Sequence, residues 1–161
     1  MARTPHAPRM AIAALLLLAA VSGRGLAAQE ASSLLSLCDK PSLSLSEAAW
    51  LALSGANLLP PGSGPSAALA RLRELGWIRR ASREDVDYFP ATVGEFAFLS
   101  MKAYRLRGGV GYAFFPGPRY AYRELSYRGL LPANLEAGQA IGGILALRSI
   151  ARIDEYRGSR K

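Results

Sequence analysis

The sequence contains one histidine, His6, and one cysteine, Cys38. A single cysteine cannot form a disulfide within the chain, so a packed core must stabilise the fold. His6 lies in an N-terminal segment that we expect to be removed, which leaves the remaining chain without an imidazole. This scarcity excludes Ser-His-Asp and Cys-His nucleophilic sites and the usual histidine metal sites. We therefore predict no catalytic residues, no metal and no cofactor.

Long hydrophobic runs are also missing. The longest, from Met10 to Val21, has twelve residues, fewer than the ~20 that a membrane-spanning helix requires. Arg3 and Arg9 precede this run and small residues follow it, a pattern typical of a secretory signal peptide. We predict a signal peptide at residues 1–28, export to the periplasm or cell envelope, and membrane contact only through an uncleaved signal. Its removal lowers the net charge from +8 to +5, because the segment holds three arginines and no acid.

Acidic residues are scarce from Lys102 to Leu131, where Glu124 is the only acid among six basic and seven aromatic residues. Guanidinium groups fork onto carboxylate or phosphate, and aromatic faces stack on flat apolar surfaces. In an exported protein this composition indicates an anionic cell-wall glycan, lipid headgroups or an acidic protein face as partner, and not nucleic acid. A solvated basic face with packed tyrosine rings is the alternative. The predicted binding residues are Arg105, Arg107, Tyr112, Phe114, Arg119, Tyr120, Arg123 and Tyr127.

No stretch alternates between apolar and polar residues as a strand does, and the helix signals predict an all-α fold. Ser44 with Glu47, and Thr92 with Glu95, have the S/T-x-x-E spacing of a capping box. Glycine is the residue that most often ends a helix. The expected helix ends are Gly55, Gly76, Gly108-Gly109 and Gly129. The five predicted helices cover residues 43–55, 66–75, 92–106, 119–128 and 136–153.

These helices define the expected organisation of the chain. A polar leader at 29–42 precedes a helical domain at 43–153 with Gly, Pro and aromatic loops, and a basic tail at 154–161 follows it. The segment 79–87 carries charges of both signs and is expected to be a solvated loop. The glycine pair at 142–143 lies inside the predicted last helix, where it would allow close contact with another helix.

The capping boxes recur along the chain. Glu47 and Glu95 are 48 residues apart, and Gln139 follows after 44 more in a weaker third copy, Glu136-x-x-Gln139-x-Ile141. These spacings lie within the range of stacked helix-pair repeats. The intervening helices also end alike, with Leu72-x-x-x-Gly76-Trp77 and Leu125-x-x-x-Gly129-Leu130. The sequence therefore predicts a five-helix array built from repeated helix pairs.

On these motifs the chain resembles S-layer homology repeats, over about residues 43–147. In that family a helix ending in glycine plus an apolar residue leads, through an aromatic-proline loop, to a helix that opens with Thr-Arg-Ala-Glu. The matching segments are Ala67 to Trp77, Phe89-Pro90 and Thr92-Val93-Gly94-Glu95-Phe96-Ala97, and less closely Tyr120 to Leu130 with Gln139-Ala140. The resemblance implies the family's helical-repeat fold and cell-wall polysaccharide binding. Val93 replaces the arginine on which that binding depends.

Three functions are compatible with the residues. The first is a non-catalytic cell-envelope module that docks onto a protein or scaffolds an assembly through the Arg and Tyr surface. The second is a module that binds cell-wall glycan or peptidoglycan, as the resemblance implies. The third is a carboxylate-based hydrolase with Glu95 and Glu124 as acid and base. For Glu95, the capping box is the better explanation.

Overall fold

The computed structural model describes residues 34–159. Residues from Leu37 onward form one compact unit, and residues 34–36 group with the N-terminal part of the chain. The predicted signal peptide lies outside the described residues. Within them the chain forms helices and no strand beyond two isolated bridges, which confirms the all-α prediction. Residues 34–38 are helical, and after them the α-helices are α1 (Leu45–Gly55), α2 (Pro65–Leu75), α3 (Val93–Ala103), α4 (Val110–Phe114), α5 (Pro118–Tyr127) and α6 (Gly143–Gly158).

Helices α1 and α3 begin with the predicted capping boxes. The Ser44 hydroxyl accepts the Glu47 N–H at 3.3 Å, and the Glu47 carboxylate accepts the Ser44 N–H at 3.0 Å. Thr92 and Glu95 make the same reciprocal pair at 3.1 and 2.9 Å. Each box satisfies backbone donors that a helix start otherwise leaves unpaired. The local sequence therefore fixes where both helices begin.

The segments that enter α1, α3 and α6 meet in a closed ring of backbone hydrogen bonds. The Leu43 N–H donates to the Ile141 carbonyl at 2.8 Å, and the Ile141 N–H donates to the Ala91 carbonyl at 2.9 Å. The Ala91 N–H closes the ring on the Leu43 carbonyl at 2.7 Å. All three residues are fully buried, where backbone groups need partners. This backbone ring joins three helix starts that are far apart in the sequence.

The last helix starts later than the sequence predicts. Helix α6 begins at Gly143, and its N-cap is Gly142, which has no side chain to cap with. The third capping box predicted at 136–141 is therefore wrong. Ile141 instead lies in the backbone ring, directly before the N-cap of α6, as the other two ring members lie directly before the N-caps of α1 and α3.

The glycine pair at the start of α6 lies against the backbone of residues 37–41, and residues 37 and 38 belong to a helical stretch, so the predicted close contact with a helix is present at Gly143. A Cβ on Gly143 would overlap the Leu37 carbonyl oxygen, and a Cβ on Gly142 would lie 3.1 Å from the Pro41 carbonyl oxygen. Leu37 is itself buried. The end of the predicted leader is therefore part of the folded unit, held against the start of α6.

The end of α6 also differs from the prediction. The helix continues to Gly158, so residues 154–158 are helical and not a frayed tail. Ile153 is fully buried and Tyr156 packs against the core. These apolar contacts explain why the helix continues beyond its predicted end.

Helices α1, α3 and α5 end in the same way. In each, the N–H of a leucine bonds back to the carbonyl five residues earlier, in the pairs Leu58 to Leu53, Leu106 to Met101 and Leu130 to Leu125. This Schellman ending requires a left-handed residue just before the leucine. The residues are Asn57, Arg105 and Gly129, with φ of 57°, 53° and 70°. Gly129 and the left-handed Gly76 after α2 confirm two of the predicted helix ends.

The other two predicted glycine ends are confirmed only in part. Gly55 is the last residue of α1, as predicted, but it is not left-handed. Helix α3 stops at Ala103, before the glycine pair at 108–109. Arg105 and Arg107 therefore follow α3 and do not lie in its last turn. In both cases a non-glycine residue adopts the left-handed backbone, which composition alone does not reveal.

The charged segment between α2 and α3 is not a solvated loop. It forms two 3-10 turns, Arg79–Ser82 and Val86–Tyr88, and it lies against α1 and α3. Arg80 binds both carboxylate oxygens of Glu95, at 2.5 and 2.7 Å, and donates to the carbonyls of residues 86, 89 and 90. Asp87 accepts the Ser46 N–H of α1 at 3.1 Å. Arg80 and Asp87 thus connect this segment to α3 and α1, while its other charged residues, such as Arg79, Arg83 and Glu84, are exposed to water as predicted.

Candidate functional site

The C-terminal ends of three helices surround a cleft of about 310 Å3. Residues that follow α3 and α5 line it, together with the last turn of α6. The lining residues are Tyr104, Arg105, Leu106, Arg107, Arg128, Tyr156 and Arg157. Four of these described residues are arginines and none is acidic. We call this feature the arginine cleft.

Arg105 reaches the cleft through the Schellman ending of α3. Its φ of 53° is left-handed, a conformation that costs a residue with a side chain roughly 1 kcal/mol relative to glycine. Helix α5 has Gly129 at the corresponding position. The chain therefore carries an arginine where glycine would be easier to accommodate, and such local strain is characteristic of functional positions.

Aromatic rings contact two of the other three arginine side chains that line the cleft. The Arg128 guanidinium lies 5.7 Å from the centroid of the Tyr156 ring, and the Arg157 guanidinium lies 5.7 Å from that of Tyr104. Cation–π contacts of this kind restrict a long side chain without removing its hydrogen-bond donors. Arg128 also pairs with Glu124 at 3.4 Å. The guanidinium groups are therefore positioned before any ligand arrives.

The electrostatic balance of the arginine cleft is positive. Glu124 neutralises part of Arg128, and the Asp154 carboxylate lies close to the Tyr104 hydroxyl. Burial, and then the negative charge of Asp154, raise the pKa of Tyr104 well above its ordinary value, so the phenol stays neutral at physiological pH. The negative ends of the helix dipoles offset some of the positive charge. Four guanidinium groups against two carboxylates still favour a carboxylate, phosphate or sulfate group.

A second, open cavity of about 490 Å3 lies along α5. It is lined by Tyr122, Arg123, Glu124, Ser126, Tyr127 and Ala133. Two predicted binding residues, Arg123 and Tyr127, belong to it, and Tyr127 is 92% exposed. Glu124 lines this cavity and pairs with Arg128 of the arginine cleft, so the two depressions adjoin.

The remaining predicted residues lie on α4 and at the start of α5. Tyr112 is half-buried, with its ring centroid 6.3 Å from a phenylalanine ring of α3, and burial raises its pKa. Tyr120 stacks on Phe115 at 5.9 Å between centroids. Phe114 and Arg119 are exposed. The eight predicted residues therefore divide among three places: Arg105 and Arg107 in the arginine cleft, Arg123 and Tyr127 along α5, and four on this third face.

Five residues of the arginine cleft were not predicted as binding residues: Tyr104, Leu106, Arg128, Tyr156 and Arg157. The i,i+4 spacing of Glu124 and Arg128 predicts an ion pair, which the structure forms, and Tyr156 and Arg157 fall in the predicted tail. No local pattern marks the cleft, because it arises from the packing together of α3, α5 and α6. If the sequence had predicted the end of α6 at Gly158, Arg157 would have been placed in the last turn of that helix and could have been considered as a binding residue.

The two carboxylates considered for hydrolysis are both engaged in structure. Glu95 is 12% exposed and accepts from Arg80 and from the Thr92 N–H. Burial by itself raises the pKa of a carboxyl, but these hydrogen bonds outweigh it, and the pKa of Glu95 is lowered. Glu124 pairs with Arg128. A general acid needs a raised pKa and a free path to substrate, so the assignment of Glu95 to acid–base chemistry is wrong.

Comparison with known proteins identifies no relative of this chain. Models of protein families, curated proteins and solved structures give no match to this chain. In the part of the chain that the structure describes, no helix combines the length and apolar character needed to cross a bilayer. Nor do three acidic, histidine or cysteine side chains converge there as metal ligands would. The site is therefore interpreted from its own chemistry.

Proposed function

We propose that this chain is an exported, non-catalytic module of the bacterial cell envelope that docks onto an acidic partner protein. The arginine cleft is the centre of the docking surface, and Arg123 and Tyr127 extend it along α5. The observation that carries this proposal is the convergence of four arginines from three helix ends into one cleft. Forked guanidinium groups fit carboxylate side chains in two-point contacts, and the surrounding tyrosines supply apolar area.

Capture in cells tests this function. Chemical crosslinking followed by purification of the chain should recover a stoichiometric envelope protein with an acidic surface. The double change Arg105→Glu with Arg157→Glu should abolish recovery, because it turns attraction into repulsion at the centre of the surface. Arg79→Glu with Arg148→Glu makes the same change in net charge at exposed positions outside the cleft and should leave recovery intact. Equal recovery with both double variants would rule out docking at the cleft.

A second candidate function is binding of an anionic cell-wall glycan. The observation that favours it is the backbone ring, in which three helices begin from equivalent positions at residues 44, 92 and 142. We infer that this spacing reflects a degenerate S-layer homology-like array. Val93, at the position of that family's arginine, is fully buried, so a glycan would depend on the arginine cleft instead.

Sedimentation with purified cell walls separates the two functions. A glycan-binding module should sediment with walls that retain their anionic polymers and should remain in solution with walls stripped of them. Arg105→Glu with Arg157→Glu should release it, whereas the control pair Arg79→Glu with Arg148→Glu should not. An absence of sedimentation at low salt would leave the protein-docking function as the proposal.

A further inference from the structure

Helix α4 presents large apolar side chains to solvent. Val110, Phe114 and Phe115 are 76%, 75% and 65% exposed, respectively. Val110 and Phe114 are four residues apart on α4, so they lie on the same face of the helix. Isolated exposed apolar residues are ordinary, but a contiguous group of this size marks a contact surface. We call these three residues the α4 face.

The α4 face is held in place from beneath. The Tyr112 ring packs toward Phe98 of α3, with centroids 6.3 Å apart. The Phe115 ring stacks on Tyr120 of α5 at 5.9 Å with an interplanar angle of 25°. These contacts turn Tyr112 inward and hold the Phe115 ring against α5. The Phe115 ring is therefore ordered before contact, which lowers the entropic cost of binding.

Positive charge surrounds the α4 face. The sequence between Glu95 and Glu124 carries five basic residues and no acid. All five are exposed, with Lys102 on α3 and Arg119 at the start of α5, and the Lys102 ammonium lies 5.5 Å from the centroid of the Phe98 ring. Glu124 is the acid that approaches the start of α4, near Gly109, but it is 19% exposed and paired with an arginine. Its charge is therefore largely cancelled at this surface.

We propose that the α4 face docks on the surface of a lipid bilayer that contains anionic phospholipid. Projecting aromatic and aliphatic side chains enter the boundary between headgroups and acyl chains, while nearby cations contact lipid phosphates. The charge pattern selects this partner: cations flank the apolar side chains, and the nearest carboxylate is paired. The α4 face shares no residue with the arginine cleft, so docking on lipid is a function additional to the one proposed above.

Local hydrogen exchange in the full chain tests the proposal. Amides of residues 110–115 are compared without vesicles, with phosphatidylcholine vesicles, and with vesicles that also contain phosphatidylglycerol. We expect slower exchange in this segment only with the anionic vesicles. Because the measurement is local, insertion of any other part of the chain into the vesicle does not produce the signal.

Substitutions test which residues produce the protection of the 110–115 amides. Phe114→Ser with Phe115→Ser should remove the protection, because it deletes most of the apolar area that enters the interface. Phe89→Ser, at a phenylalanine that is 59% exposed between α2 and α3, is the matched control and should retain it. Arg119→Gln should weaken binding to anionic vesicles about fivefold, the factor expected for one cation at such a surface.

Three results would overturn the proposal. The first is exchange at 110–115 that is unchanged by anionic vesicles. The second is equal protection by neutral and anionic vesicles, which would remove the role of the cations. The third is protection that rises with protein concentration in the absence of lipid, which would mean that a second copy of the chain covers the α4 face. None of these three results depends on whether the cleft variants lose the partner protein in the capture experiment, so the two proposals can fail separately.

Discussion

Gly143 lies where a side chain has no space. Replacement by alanine places a methyl group onto the Leu37 carbonyl oxygen, which belongs to backbone and cannot rotate away. We expect Gly143→Ala to lower the free energy of unfolding by about 1–3 kcal/mol, the usual range for an overpacked site. Urea unfolding measures the change. Gly158→Ala, at the other end of α6 where a Cβ meets nothing within 4 Å, is the control and should be neutral or slightly stabilising.

The Glu95 carboxyl couples folding to pH. Its pKa is lowered in the folded chain, below its ordinary value of 4.5, because hydrogen bonds from Arg80 and Thr92 outweigh the opposing effect of burial. A carboxyl of this kind stabilises the fold above its unfolded pKa, and this contribution disappears as the pH falls through the folded pKa. The free energy of unfolding should therefore decrease as the pH drops below about 4.5.

The variant Glu95→Gln isolates this contribution. It cannot titrate, so it should be less stable than the natural chain at pH 7, and the difference should shrink between pH 5 and pH 3. Urea midpoints at pH 7, 5, 4 and 3 provide the measurement. A difference between the two proteins that stays constant over this range would show that the stability does not depend on ionisation of Glu95.

The ending of α3 places a residue with strained backbone, Arg105, in the proposed docking surface. Arg105→Gly should raise the free energy of unfolding by about 1 kcal/mol, because glycine adopts the left-handed backbone without a Cβ clash. The same change removes a guanidinium from the arginine cleft and should weaken binding of the acidic partner. Thermal unfolding and partner capture are measured on the same preparation. A variant that is more stable and binds normally would mean that Arg105 is dispensable.

The corresponding ending after α1 is the control for that change. Asn57 is also left-handed, but asparagine tolerates this backbone better than arginine does. Asn57→Gly should therefore stabilise the chain less than Arg105→Gly, and it should not affect binding because it lies outside the cleft.

How well the sequence predicts an element depends on whether its signal is local. The starts of α1 and α3 follow from Ser44 and Thr92 because a capping box is formed within four residues. The start of α6 does not, since the backbone ring and not a side chain fixes it. The helix stop at Arg105 was missed for a similar reason: packing of Leu106 imposes a conformation that the residue itself disfavours.

The candidate site was predictable in part. Arg105 and Arg107 stood out because they lie in a basic, aromatic stretch of sequence. Arg157 did not, because it lies beyond that stretch and reaches the cleft only through the packing of α6. Arg80 was assigned to a solvated loop because its partner, Glu95, lies 15 residues further along the sequence. Contacts between distant segments carry no signature in composition or spacing, and both errors have this origin.

At the scale of the whole molecule, the backbone ring makes the fold cooperative. The amides of Leu43, Ala91 and Ile141 should exchange only when the entire unit opens, because breaking one bond of the ring exposes buried backbone groups of two helix starts. We expect the three amides to share one opening free energy, equal to that of global unfolding. Native-state hydrogen exchange in low denaturant measures it.

Helix α4 provides the contrast for that measurement. The Ala113 amide bonds to the Gly109 carbonyl in a helix of five residues with no buried side chain. It should exchange through local fraying, with a much smaller opening free energy. Opening free energies that differ among the three ring amides by more than about 1 kcal/mol would show that the helix starts separate independently.

The backbone ring also governs when the chain can fold during its synthesis. Its third member, Ile141, is synthesised 50 residues after Ala91, so the ring stays open until then. Until then Leu43 and Ala91 have no closing partner, and the growing chain lacks the contact that joins its helices. Before residue 141 has been synthesised, the unit therefore cannot reach its folded arrangement.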